Sequence, residues 1–312
     1  DNYTELGLTS DYIGYYAIGN AGQLMYFSNG VKNENSTFGG MNVVLVDDID
    51  FNPGYTFNSD GTVLYENSPV TSGWREWVPI GTFHSSYKGE FNGNYHTISG
   101  LYTNDENMDY IGLFGAISYC EIYNVGVKNS YFNGDQYVGG IVGHASFKSS
   151  FENCYSEATV GARYAAAGIV AAGSCQSGEY SVKIVGCYYN GVLKPRGYTY
   201  MSGIYGGQNE IIKNSYYNSD KCNYGKKEYA MSEADFKSGL VAYLLNGDQS
   251  AIVYGQTIGT EDYPVFGGET VYGGYADCDS ENLSVTNDVN MVLNETKGHI
   301  WEYSSSGTTM TA

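Results

Sequence analysis

Between residues 111 and 225 short apolar runs alternate with Gly, Asn, Ser and Tyr, and one phrase returns four times. The copies open with Gly112-Leu113-Phe114-Gly115, Gly140-Ile141-Val142-Gly143, Gly168-Ile169-Val170-Ala171 and Gly203-Ile204-Tyr205-Gly206, leading glycines 28, 28 and 35 residues apart. Each has a second half of the form apolar-x-Asn-Cys-Tyr: Ile122-Tyr123-Asn124-Val125, Phe151-Glu152-Asn153-Cys154-Tyr155, Ile184-Val185-Gly186-Cys187-Tyr188 and Ile212-Lys213-Asn214-Ser215-Tyr216. A period of this length marks stacked units, none of which buries its apolar face alone.

The pattern predicts an all-β chain, a right-handed parallel β-helix (β-solenoid) with short capping helices near each end, because parallel crossovers take that hand. Each repeat holds two clear strands and room for a third. Leu113, Ile141, Ile169 and Ile204 are expected to form one inward column, and Ile122, Phe151, Ile184 and Ile212 another. Burying each such side chain contributes about 1.5 to 3 kcal/mol. Asn124, Asn153 and Asn214 are read as an amide ladder that Gly186 interrupts, and the leading glycines as turns or close backbone approaches.

Outside the repeats, Asn20 and Gln23 form a capping box for a helix over 20 to 31, with Leu24, Phe27 and Val31 on one face. A strand-like run follows over Met41–Phe51, then a long polar loop over 52 to 73. Phe91 to Leu101 reads as strand, Asn-Gly turn, strand. A second helix is expected from Ser232, with Asp235 in its capping box and Phe236, Leu240, Val241, Leu244 and Leu245 on one side, stopped by Gly247. The helices are placed to cover the exposed strand edges at the two ends. The predicted organisation is an N-terminal capping region (1–80), the solenoid (81–225), a C-terminal helix and capping segment (226–275), and a peripheral tail or start of a further module (276–312).

The net charge of −19 and pI near 4.4, with only 15 basic residues, exclude a phosphate-binding surface and so nucleic acid. No run of about 18 apolar residues is present, so no membrane insertion is expected. The start at Asp1, without an initiator Met, reads as the mature or trimmed form of a secreted protein. Sequons at Asn2, Asn35, Asn282 and Asn294 have no meaning if the source is bacterial. The six cysteines (Cys120, Cys154, Cys175, Cys187, Cys222, Cys278) contain no C-x-x-C pair. Cys154 and Cys187 share a repeat position about 4.8 Å apart, within disulfide range, and are read as a column of free, buried thiols.

Searching for chemistry, the chain contains no H-E-x-x-H, P-loop, G-x-S-x-G elbow or dinucleotide fingerprint. His84, His96, His144 and His299 are dispersed. Residues 56 to 67 resemble a calcium loop through Asn58, Asp60 and Gly61 but lack its terminal carboxylates. Asp47, Asp48 and Asp50 are close enough to hold Ca²⁺ or simply to border a strand, and are read as the latter. No metal site, cofactor or catalytic residue is predicted. Among 33 tyrosines, Tyr155, Tyr188 and Tyr216 share one repeat position and Tyr189 and Tyr217 the next. If one column faces outward, these five are the candidate ligand-binding residues, a strip for sugar rings or a protein surface. A purely stabilising ladder is the alternative.

The GLFG and GGIVG phrases followed by I-x-N-C-Y resemble the GLUG-type repeats of bacterial surface and secreted proteins. Phe83–Leu101 is similar to the lead-in found before such repeats, and the segment from Met231 through Gln256, Gly259 and Tyr263-Pro264-Val265-Phe266 to the element that follows them. Covering roughly residues 12 to 275, the resemblance implies an extracellular β-helical module, secreted or cell-surface attached, with a role in adhesion; such repeats also occur beside immunoglobulin-A-cleaving metallopeptidase domains. It supplies no catalytic residues. The expected function is a non-catalytic adhesion module, monomeric, binding glycans or host or cell-wall proteins on its lateral face. A polysaccharide lyase or hydrolase, or a structural spacer, is the alternative.

Overall fold

The repeats coil as parallel rungs. The computed structural model describes residues 5–33, 36–174, 181–197, 200–208, 210–247, 249, 251–275 and 283–288, with the backbone of Glu302–Tyr303 and Met310–Thr311. Cys175, Cys278, His299, the four sequons and most of the tail from 276 lie outside the described residues. The chain divides into two compact units, 1–233 and 234–312.

In the first unit the first three repeats each supply strands to four sheets, not three, and the fourth supplies strands to the largest sheet. The largest runs Tyr16–Ile18, Val43–Leu45, Glu90–Ser99, Glu121–Lys128, Tyr155–Ser156, Tyr188–Tyr189, Tyr216–Asn218 and Ala230–Met231, each strand parallel to the next. The second stacks Tyr102–Asn104, Tyr131–Gly134, Thr159–Ala162 and Leu193–Pro195. The third stacks Val138–Gly139, Ala165–Ala167 and Tyr200–Ser202, and the fourth Phe114–Ser118, Val142–Ser146 and Val170–Ser174. The in-register files are the predicted ones, with Ile122 beside Phe151, Phe151 beside Ile184 and Ile184 beside Ile212. Leu113, Ile141, Ile169 and Ile204 are buried in the same continuous core.

Packing explains the motif. A Cβ on Gly168 would lie 2.1 Å from Cγ of Tyr189, and one on Gly203 2.1 Å from Cγ of Tyr217. The two halves of a repeat therefore meet across the core, and the ring in the second half needs a bare backbone in the first. The Asn file has a backbone cause. Asn124, Asn153 and Asn214 have φ of 55°, 52° and 44°, and Gly186 in the same file has 61°. Asn and Gly are the residues that visit the left-handed region most readily, so Gly186 continues the file. The amide ladder joins Asn153 Nδ2 to Asn124 Oδ1 at 3.2 Å. In the adjacent file Cys154 and Cys187 are free and buried, as are Cys120 and Cys222, and Ser215 Oγ accepts from the Cys187 amide at 3.0 Å.

The first helix, Ala21–Lys32, forms as read: Asn20 Oδ1 accepts from the Gln23 amide, Gln23 Oε1 from Gly19, and Leu24, Phe27 and Val31 enter the core. Three expectations are corrected. Phe91–Ser99 is no hairpin, because both flanks pair in parallel with Glu121–Lys128, and Asn94 and Tyr95, at φ 49° and 66°, make a bulge between them. The segment 52–73 is an antiparallel meander (Tyr55–Phe57, Val63–Tyr65, Ser68–Val70) whose Phe57 and Val63 pack on Tyr102 and Tyr131. From the last residue of the first unit into the second, the expected single helix is two, Glu233–Lys237 and Leu240–Asn246, broken at Gly239 with φ 86°. There Gln256 is buried and donates to the carbonyls of Phe236 and Glu261.

Candidate functional site

Four of the five tyrosines expected on an open strip are buried, which is a correction to that expectation. Tyr189 and Tyr217 point into the core. Tyr155 and Tyr188 stack 4.7 Å apart with ring planes 3° from parallel, and are 1% and 0% exposed. Tyr155 lies over Gly126, where a Cβ would sit 2.3 Å from its ring, and Lys128 Nζ stands 5.4 Å from the ring centroid. Tyr216 is partly buried. Burial raises the phenol pKa of Tyr155, Tyr189, Tyr216 and Tyr217. The file acts as a stabilising ladder.

The open aromatic surface lies elsewhere, along the corner where the chain passes from the second sheet into the third. Phe83 stacks on Tyr110 (5.5 Å, 23°) and Tyr110 on Tyr137 (5.3 Å, 21°). Tyr137 then meets Tyr164 edge to face (5.7 Å, 81°), and Tyr164 meets Tyr200 at 5.5 Å and 69°. Five successive coils thus contribute one ring each. Exposure is greatest at the ends, 58% for Phe83 and 66% for Tyr200, with 38% for Tyr164. Tyr110 and Tyr137 are half-buried, and they hold φ of 61° and 58°. For a bulky side chain this conformation is an outlier, of the kind that surrounding structure maintains at functional positions.

A polar ladder runs one residue ahead of the rings. The Gln136 amide donates to Asp109 Oδ1 at 3.0 Å, and Arg163 grips Asp135 through both Nε and Nη2, the latter at 2.9 Å. Arg196 Nη1 reaches Glu106 at 2.7 Å. The Arg163 hydrogen bond holds the Asp135 carboxyl below its ordinary range, whereas desolvation pushes Asp109 up. His144, on the outer side of the fourth sheet, lies edge-on to Phe83, Tyr110 and Tyr137 at 6.4, 5.9 and 5.8 Å. Ala116 and Ala172 flank it on the neighbouring coils. At the other end of the same strands a second pair, Tyr119 and Phe147, stacks at 5.6 Å and 18°, again with positive φ. A cavity of about 40 Å³ beside Tyr110 and Asp109, lined also by Pro79 and Met108, holds a water-sized group and no sugar ring.

Other candidates are accounted for locally. Asp48 accepts from the amide and hydroxyl of Thr97, Asp50 from Asn52, and Asp47 from the Asp48 amide. Asp60 is tied to Thr62 at a hairpin tip. Among the described residues no group of three or more His, Cys, Asp or Glu is placed to hold a metal, and no helix is long and apolar enough to cross a membrane. Glu90 and Glu121 are in-register neighbours, but Glu121 is exposed and the Tyr123 hydroxyl engages Glu90.

The repeat register explains why the open strip was missed. Tyr110, Tyr137, Tyr164 and Tyr200 stand two, three, four and three residues before their leading glycines. Corners of unequal length scatter them in a motif alignment, and Phe83 precedes the repeats. The legible signal was a polar residue before the ring: Asp109-Tyr110, Gln136-Tyr137, Arg163-Tyr164.

The family model for the GLUG motif matches residues 134–161, the coil that carries Gly140-Ile141-Val142-Gly143 and Asn153-Cys154-Tyr155. No curated protein matches the chain. A crystal structure from Bacteroides ovatus, described as a candidate immunoglobulin A1 protease, overlaps 81% of this chain and 92% of its own at 15% identity and a TM-score of 0.37. At that score the overlap bears no weight on function. The chain is a β-solenoid carrying a GLUG motif.

Proposed function

We infer that the chain is a binding module of a surface or secreted bacterial protein, acting in adhesion by holding a glycan on its lateral face. The observation that carries this reading is the five-ring strip Phe83–Tyr110–Tyr137–Tyr164–Tyr200, open to solvent on five adjoining coils and edged by hydrogen-bonding side chains. Tyrosine combines a large apolar ring with a hydroxyl and loses little entropy when ordered, which suits it to sugar rings. The overall acidity supports an exposed, soluble surface.

A glycan array probed with the full chain and with a Tyr164→Ala/Tyr200→Ala variant tests it. Both rings are exposed, so the variant is expected to keep the parent's circular dichroism and thermal transition. Binding of wild type to one or more glycans, with at least a tenfold loss in the variant, is the expected outcome. Equal signals from both proteins, or none from wild type, would overturn the assignment and favour a spacer.

A further inference from the structure

Resting on the reading above, we propose that the ligand is an uncharged, extended oligosaccharide lying along the solenoid axis, with one sugar matched to each coil and its tightest subsite at Tyr164, Tyr200 and Arg163.

Three observations lead there. First, the rings repeat with the coils. Centroid steps of 5.3 to 5.7 Å follow the rungs, and a sugar in an extended chain advances by a comparable step. From Phe83 to Tyr200 the strip crosses four coil steps, about 20 Å at the spacing of paired strands.

Second, the presentation changes along the strip. Phe83, Tyr110 and Tyr137 are stacked, so they offer ring edges and two tyrosine hydroxyls. At Tyr164 the stack turns through 81° from Tyr137 and 69° from Tyr200. Tyr200 is the most open ring of the five. The stacked part therefore hydrogen-bonds to successive sugars, while the turned end offers a ring for a sugar to lie against. Arg163, 58% exposed, stands beside it, its orientation fixed by the two-pronged grip on Asp135. Planar polar groups held in this way suit vicinal hydroxyls.

Third, the two arginines beside the strip are each held by a carboxylate, and Asp109 adds a further acidic group on the same edge. Asp135 is paired with Arg163 and Glu106 with Arg196, so among the described residues these arginines form no cationic cluster for an acidic sugar. The net charge of −19 repels a polyanion at longer range. Together these select an uncharged chain.

The test is isothermal titration of the full chain with β-1,4-linked cello- and manno-oligosaccharides of two to seven units, alongside oligogalacturonates of equal length, at low and physiological salt. Affinity for at least one uncharged series should rise tenfold or more from the dimer to about the pentamer, then level off. Tyr200→Ala should remove most of that affinity and Tyr110→Ala should flatten its dependence on length. Oligogalacturonate should bind at least tenfold more weakly, the gap narrowing with salt. Binding that ignores length overturns the axial arrangement and leaves glycan binding standing. A preference for the acidic series overturns the charge argument alone. No binding to any series, with no signal on the array, sinks both this proposal and the reading on which it rests.

Discussion

Asn214 shows how a single backbone angle shapes the motif. Its φ of 44° belongs to the same file as Asn124, Asn153 and Gly186, and its side chain is only partly buried. A β-branched residue in that conformation costs about 1 to 2 kcal/mol, whereas glycine adopts it freely. Urea denaturation should therefore find Asn214→Gly within about 0.5 kcal/mol of the parent and Asn214→Val destabilised by about 1 to 2 kcal/mol. Equal losses in both would mean that the amide's contacts, and not the backbone, fix this position. A second residue-scale effect concerns His144. Burial under the aromatic strip lowers its pKa. A base whose folded pKa is depressed contributes full stability above its unfolded value of about 6.5 and loses it as pH falls below, because the unfolded state then binds more protons. Between about pH 7.5 and 5.5, the melting temperature should fall further for wild type than for His144→Gln. Parallel pH profiles for the two would remove His144 from that account.

At the scale of elements, legibility followed the number of constraints acting on each residue. The inward files were readable because each position is occupied by the same kind of side chain on every coil, as with Ile122, Phe151, Ile184 and Ile212. The helix Ala21–Lys32 was readable because its capping signal is local, within Asn20 and Gln23. Elements defined by remote partners were not. Nothing near Phe57 and Val63 announces that Tyr102 and Tyr131 will cover them, so the meander looked like a loop. Asn92-Gly93 carries a hairpin signal, and the tertiary ladder overrides it by pairing both flanks with the next coil. The same distinction governs the candidate site. Tyr155 and Tyr188 stood out because they recur in register, and recurrence in register is what builds a buried ladder. The open rings sit on corners of unequal length, where no partner demands a fixed spacing. In a solenoid, strict periodicity marks the residues that hold the coils together, and the departures from it mark surfaces available for binding.

Within the first unit as a whole, stability should be graded along the stack. Each coil buries its apolar face only against its neighbours, so a repeat array behaves as a chain of nearest-neighbour interfaces. The strand Val142–Ser146 is paired on both sides, by Phe114–Ser118 and by Val170–Ser174. Among the described residues the strand Glu210–Lys213 pairs within its sheet only with Val182–Val185. Side-chain burial follows the same gradient: Phe151 and Ile184 are fully buried, while Ile212 at the end of their file is only partly so. Opening the last strand of a file exposes one interface, whereas opening an inner one breaks two. Native-state hydrogen exchange should therefore show the amides of Val142, His144 and Ala145 protected close to the global unfolding free energy. Those of Ile211 and Ile212 should exchange through local openings that cost less. Urea should abolish the protection of the outer strand first. The lateral strip spans this gradient, since Phe83, Tyr110 and Tyr137 cover the coils around His144 and Tyr200 rides on a later one. Added oligosaccharide should raise protection most at the Tyr200 end, where the free chain opens most readily. Uniform protection across all coils, with or without sugar, would show a single cooperative block in which that end has no freedom for a ligand to restrict.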